Sequence, residues 1–369
     1  MQCSTVIHRK YCLTVENRRC QRCIDSPRIV SDRIWPKAEG GEGLLVWSSL
    51  TLDGNRSVTV IIASYFRMPA GSDMQSQVTL HAMKELALDF NAAVDWVASV
   101  GFPIERGRIA EYRKILTKVA DRFEVHRWDD FADQEYAKQV CTVLLEIREL
   151  VSIHRGLSDI SDPTDLHAMR HFLKGPFSPT DESVNNSSNR PRNIGFELYL
   201  TALFAYAKMM PIYGTDADLC FKHNDHTFFV EAKRPMFFHS INAAIKDANK
   251  QLTRRLEGTK STMARGLIAL DLSKIINPRD KVMPVRDTHH LDQLMNGETQ
   301  LQIDALARYW HKGRNSKTVG VLLHFRLLTQ FGPNGDLNTV RWISFVQFSN
   351  DDALSGLYTK LQDVIRQIC

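Results

Sequence analysis

The segment that most restricts the fold is Thr215-Asp216-Ala217-Asp218-Leu219-Cys220-Phe221-Lys222, followed after a turn by His226-Thr227-Phe228-Phe229-Val230-Glu231-Ala232-Lys233. In a strand, alternate side chains share a face. Asp216, Asp218 and Cys220 then point one way, and Ala217, Leu219 and Phe221 the other. On the second run Thr227, Phe229, Glu231 and Lys233 share a face, with Phe228, Val230 and Ala232 opposite. A two-residue turn at Asn224-Asp225 pairs His223 with His226. That register sets Asp218 across from Glu231 and Asp216 across from Lys233; a slip of one residue would destroy it.

Two carboxylates opposed on neighbouring strands repel each other, so a counter-charge is required, and a divalent cation supplies one economically. A third acid comes from upstream. The run from Ile194 to Lys208 predicts a helix over 194–210 that is apolar on nearly every face, with Glu197 as its only acid. An isolated buried carboxylate is costly and needs a partner or a metal. Oxygen donors without a His or Cys cluster favour Mg²⁺ or Mn²⁺ over zinc.

Asp218, twelve intervening residues and then Glu231-Ala232-Lys233, with Glu197 on a preceding helix, resembles the active site of the PD-(D/E)xK superfamily, the restriction-endonuclease-like nucleases. The resemblance covers about residues 192–348. It implies a helix, two strands, an inserted helix at 240–256 and a third strand at 265–272, built into a central mixed sheet flanked by helices. It implies that Asp218 and Glu231 ligate Mg²⁺ or Mn²⁺ with the Ala232 carbonyl, and that Glu197 binds the metal directly or through water. Lys233 would orient or deprotonate the attacking water, and Gln251 matches the glutamine some subfamilies place on the following helix. Ala217 stands where the motif has proline. The expected activity is phosphodiester hydrolysis, with DNA as substrate ahead of RNA, in bacterial defence, restriction or repair. The competing readings are a surface salt-bridged hairpin, a non-catalytic nucleic-acid-binding protein on a degenerate nuclease fold, and a protein–protein interaction module.

The whole chain reads as mixed α/β. Its 369 residues suggest two domains. The Pro-, Ser- and Asn-rich stretch 174–193 reads as a linker, dividing an N-terminal region 1–173 from a nuclease-like region 194–369. In the first region Leu44–Ser49 and Ser57–Ser64 flank Asp53-Gly54 and predict a β-hairpin; helices follow near 78–99, 104–123 and 132–154. That region is expected to be mostly helical, with a recognition, regulatory or oligomerisation role. In the second, strands are expected at 216–222, 226–233, 265–272, 318–327 and 340–348, a loop-rich stretch to 298, and a helix near 299–311.

Charge is distributed unevenly. Residues 1–193 hold 25 Lys/Arg against 25 Asp/Glu, whereas 194–369 hold 22 against 17, so the whole excess of +5 lies in the C-terminal half and leans towards a polyanion. On helix 240–256, Lys246, Lys250 and Arg254 recur opposite the apolar stripe of Ile241, Ile245, Ala248 and Leu252, and are candidates for phosphate contact against a plain solvated face. Arg308 to Lys317 interleaves aromatic and basic residues, although Tyr309 and Trp310 also suit a packed helix end capped by Gly313. Arg106 and Arg108 could make a basic helix face, but Glu105 and Glu111 balance it. His223 and His226 read as turn-flanking residues, and His289-His290 has nothing near it to complete a metal site. Cys12, Cys20 and Cys23 with His8 could bind zinc, but seven scattered cysteines fit free thiols in a reducing compartment. With no apolar leader or membrane-length run, the expected address is the cytoplasm. A homodimer is the expected assembly if both strands of a duplex are cut.

Overall fold

The structure is a computed structural model. It describes residues 29–36, 44–52, 56–64, 75–123, 134–159, 166–183, 189–278, 282–310, 312–331 and 337–348, with a few positions between 354 and 361. The chain forms two compact units, Met1–Ala70 and Gly71–Cys369. The first holds an antiparallel sheet of β1 (Ile29–Pro36), β2 (Leu44–Leu52) and β3 (Arg56–Ser64), in which β2 and β3 are the expected hairpin strands. Asp53-Gly54, His8, Cys12, Cys20 and Cys23 lie outside the described residues.

The second unit is mixed α/β. It begins with β4 (Gln75–Ala82), α1 (Met83–Ser99), α2 (Arg108–Phe123), α3 (Gln134–Leu157) and α4 (Met169–Phe172). Then come α5 (Arg190–Tyr206), β5 (Met210–Pro211), β6 (Leu219–His223), β7 (His226–Lys233), α6 (Ile241–Gly258), β8 (Ala264–Asp271) and α7 (Ser273–Ile276). The chain continues through β9 (Val282–Val285), α8 (Thr288–Trp310), β10 (Thr318–Phe331) and β11 (Leu337–Gln347). The strand order is β4-β11-β10-β8-β7-β6-β5, with β9 pairing β10. β7, β8 and β10 run parallel, and the ribbons at either side are antiparallel. Among the described residues no helix is long and apolar enough to cross a membrane.

Each face of the sheet is covered. On one, the His324 ring of β10 lies against Phe196 and Tyr199 of α5, and Arg326 reaches Glu146 and Glu149 of α3. On the other, α6 packs over β7 and β8, where Leu252 and Leu256 approach Gly266. α5 is buried along most of its circumference, as its composition predicts. It crosses α3 closely: a Cβ on Gly156 would collide with the Ala202 carbonyl, and one on Gly195 would meet Glu149 Oε1 at 2.6 Å.

Five expectations need correcting. The division of the chain falls at Ala70/Gly71, not in 174–193, because α1 to α3 share one hydrophobic core with α5 and the sheet. The described residues of the polar stretch 174–193 are folded: α5 starts at Arg190, and Arg192 is buried. Its residues read as loop because they are polar, yet Glu182 and Arg192 tolerate burial by pairing with each other. The helix expected to start at 78 is preceded by β4, whose backbone pairs with β11 at the sheet's edge. The loop-rich stretch to 298 contains β9 and about the first half of α8. The first site strand also starts later than expected, at Leu219, and leaves Asp216 outside the ladder.

Candidate active site

The β6–β7 hairpin has the register that the two-residue turn dictates. His223 pairs with His226 and Leu219 with Val230, and Asn224 takes the left-handed conformation (φ 52°) that such a turn demands. Asp218, one residue before β6, therefore stands beside the end of β7. Its Oδ2 accepts the Ala232 amide at 2.9 Å. Glu231 is fully buried and faces α6. Asp216 does not pair with Lys233; its carbonyl instead accepts from Arg255.

Lys233 ties the cluster together. Its ammonium donates to Glu231 Oε2 at 3.2 Å and Gln251 Oε1 at 2.9 Å, and lies 3.5 Å from Asp218 Oδ2. α6 contributes a row at four-residue spacing, the interval that brings helical side chains to one face. Gln251 Nε2 donates to Asp247 Oδ2 at 3.0 Å, Asp247 lies 3.6 Å from the Lys233 ammonium, and Arg255 binds Glu231 Oε1. Asp247 and Arg255 were not anticipated, although counting four residues either way from Gln251 would have found both.

Glu197 joins from α5, on the opposite layer. Burial first, and the Asp218 charge second, push its carboxyl up to about 8, while Lys233 and Arg190 pull the other way. It therefore carries a proton at neutral pH. Glu197 and Asp218 both line a cavity of about 150 Å³ with Thr201, Tyr213 and Thr215. Cys220 also borders the cavity, its thiol pushed up to about 11 by burial.

The structure thus brings together Asp218, Glu231, Lys233 and Gln251, places Glu197 within electrostatic reach of Asp218, and puts the Ala232 backbone against Asp218. It answers the repulsion between Asp218 and Glu231 with cations of the chain itself: the Lys233 ammonium sits between the carboxylates and the Arg255 guanidinium caps Glu231. Correspondingly, among the described residues no three His, Cys, Asp or Glu side chains are grouped closely enough to hold a metal ion.

Lys246, Lys250 and Arg254 are exposed on the solvent side of α6. Trp310 is buried and Gly313 has φ +71°, which favours the packed helix end for that aromatic stretch. Arg108 is buried on Glu146 and presents no basic face. His223 is buried beside the Phe228 ring, and His290 Nδ1 accepts the Arg286 amide. The chain matches no family model, no curated protein and no solved structure.

Proposed function

We propose that this cluster is the active site of a metal-dependent nuclease of the PD-(D/E)xK kind, hydrolysing phosphodiester bonds in DNA or, as a second substrate, RNA. The observation that carries the proposal is the Lys233 ammonium held within 3.5 Å of Asp218, Glu231 and Gln251 at the end of a buried strand. On this reading Mg²⁺ or Mn²⁺ would be held by Asp218 and Glu231, with Glu197 and the Ala232 carbonyl as further oxygens, once Lys233 and Arg255 give up their hold on the two carboxylates. Such an ion would supply charge neutralisation at the phosphate oxygens and a water of lowered pKa.

The chain's own part is positional and electrostatic. The Ala232 amide fixes one Asp218 oxygen, and among the described residues no hydrogen bond engages the other. Gln251 and Asp247 hold the lysine amine beside the acids, where it can orient a water by hydrogen bonding or take its proton if its own is released. Arg255 supplies the counter-charge for buried Glu231 until another cation takes over that role. Cutting both strands of a duplex would need a homodimer or two visits.

The internal neutralisation by Lys233 and Arg255 also favours a second reading, a non-catalytic nucleic-acid-binding protein. One experiment separates the two. Purified protein is incubated with plasmid, linear and single-stranded DNA and with RNA, in Mg²⁺, Mn²⁺ or EDTA, beside Lys233→Ala and Asp218→Ala. The nuclease reading expects cleavage in either metal, none in EDTA, and a loss of roughly 10²-fold or more in each variant. Cleavage that survives both substitutions eliminates this site, and binding without cleavage supports the second reading.

A further inference from the structure

The loop from Arg234 to Ser240 joins the end of β7 to the start of α6, so it begins one residue after Lys233. Arg234 anchors it from beneath, donating to both Glu182 oxygens at 3.1 Å and to Asp271 at 3.1 Å. Ser240 anchors it from the far side. Its hydroxyl donates to the Phe237 carbonyl at 2.7 Å and accepts the Phe237 amide at 3.3 Å. A loop fixed at both ends would be expected to turn its aromatic residues into the core, since burying a phenylalanine contributes more than almost any other residue. Instead Phe237 is 49% exposed and Phe238 54% exposed, while the His239 ring stacks on Phe237 nearly in parallel at 5.3 Å. Scattered exposed apolar residues need no explanation; two consecutive phenylalanines on a pinned loop do.

The surroundings say what would cover them. The loop lies at the carboxyl end of parallel strands β7 and β8, the side on which open α/β sheets bind ligands. Exposed Lys246 and Lys250 follow on the first turns of α6, and exposed Arg254 lies further along. Exposed aromatic faces followed along the chain by a row of exposed cations supply what an unpaired polynucleotide chain requires: rings for its bases, positive charge for its phosphates. On the other side of the cluster, the cavity lined by Glu197 and Asp218 measures about 150 Å³. That is half or less of the roughly 300–1,000 Å³ of pockets that enclose drug-sized ligands. A space of that size suits a single ring system better than a base pair.

We infer that the exposed Phe237–Phe238 pair is a base-stacking step, and that the site takes its nucleic acid as an unpaired strand, with bases splayed onto the phenylalanines and into the cavity beside Asp218. The inference rests on the nuclease reading and names its substrate class. A continuous duplex presents only base edges and cannot supply free ring faces without unstacking. The backbone phosphate between two splayed bases is thereby brought to the carboxylates and Lys233.

The test measures binding by fluorescence anisotropy with Ca²⁺ in place of Mg²⁺, using labelled single strands of DNA and of RNA and a blunt duplex of the same sequence. Full-length protein is compared with Phe237→Ser/Phe238→Ser and Phe237→Trp/Phe238→Trp. Both positions are solvent-facing, so neither variant removes core. The expected result is tighter binding of single strands than of duplex. The serine pair should weaken single strands by roughly ten-fold or more and leave the duplex unchanged, while the tryptophan pair retains affinity. Quenching of a 2-aminopurine placed in the strand should disappear in the serine pair alone. Equal affinity for duplex and single strands, or no change in the serine pair, overturns the inference. The DNA and RNA arms identify the polynucleotide. Failure of the nuclease reading shows elsewhere: wild-type protein would then leave both DNA and bis(p-nitrophenyl) phosphate uncleaved in Mg²⁺ and Mn²⁺, whatever the binding data show.

Discussion

Replacing Glu146 by Gln removes one negative charge from the most heavily cationic part of the interior. Glu146 accepts from Arg192 Nε at 2.6 Å and Arg108 Nη1 at 3.0 Å, and also binds Arg326. Side-chain exposure is 3% for Glu146, 1% for Arg108 and Arg192, and 7% for Arg326, so water screens little. Burial alone would raise the Glu146 carboxyl, but Arg192, Arg326 and Arg108 more than offset it and hold it well below the usual range. Removing one member of a buried ion pair costs about 3–5 kcal/mol, because the partner charge is stranded. Arg192 would keep Glu182, and Arg326 would keep Glu149. Arg108 would keep the Phe172 carbonyl and ring. The loss should therefore fall at the lower end, about 3 kcal/mol. Urea denaturation at pH 7 reads it as a lowered midpoint with unchanged slope. Glu111→Gln, which breaks only the exposed Lys114 pair, is the control and should cost less than about 0.5 kcal/mol. A Glu146→Gln loss below about 1 kcal/mol, or one matching the control, would refute the view that this network is held together by the Glu146 charge.

Other consequences can be checked in the same way. Burial lowers His324 from 6.5 to about 4 despite its hydrogen bond to Asp271, so the folded ring is neutral at pH 7 and its Nδ1–H donates to the Asp271 carboxylate. As pH falls from 6.5 to 4 the unfolded chain takes up a proton the folded chain refuses, and stability should drop by about 3 kcal/mol. Asp271, held well below the usual carboxylate range against the opposing effect of burial by His324, Arg234 and Arg326, adds a further loss as pH falls below about 4. Urea midpoints across this range check both, and His324→Asn should flatten the upper window. Gly195→Ala should destabilise by about 1–3 kcal/mol, because the new methyl meets Glu149 and the Phe172 ring at 2.6–2.8 Å. A thermal midpoint equal to that of the wild type would show that α5 can move away from α3.

Much of the site was readable before the coordinates. Face alternation in residues 226–233 and the turn at Asn224-Asp225 suffice to place Asp218 beside the end of β7, because a period of two and a two-residue turn leave one register. The buried character of α5 likewise follows from its composition. What escaped were contacts between distant segments. Arg255 lies 24 residues from Glu231, and only its place four residues after Gln251 separates it from exposed Arg254. The folded nature of the described residues in 174–193 escaped for the converse reason. Its polar residues match a loop, and only the partners they find, Glu146 for Arg192 and Arg234 for Glu182, make their burial tolerable. The edge strand β4 was hidden by the helical pattern that follows it directly.

The central claim is that Asp218 and Glu231 form a divalent-cation site served by Lys233. Crystals of the protein soaked in Mn²⁺ and measured at the manganese absorption edge test it directly. The account predicts an anomalous peak ligated by both carboxylates, with Arg255 withdrawn from Glu231, and no such peak in Asp218→Asn. A peak elsewhere, or none while Lys233 and Arg255 keep their hold on the two acids, would contradict it.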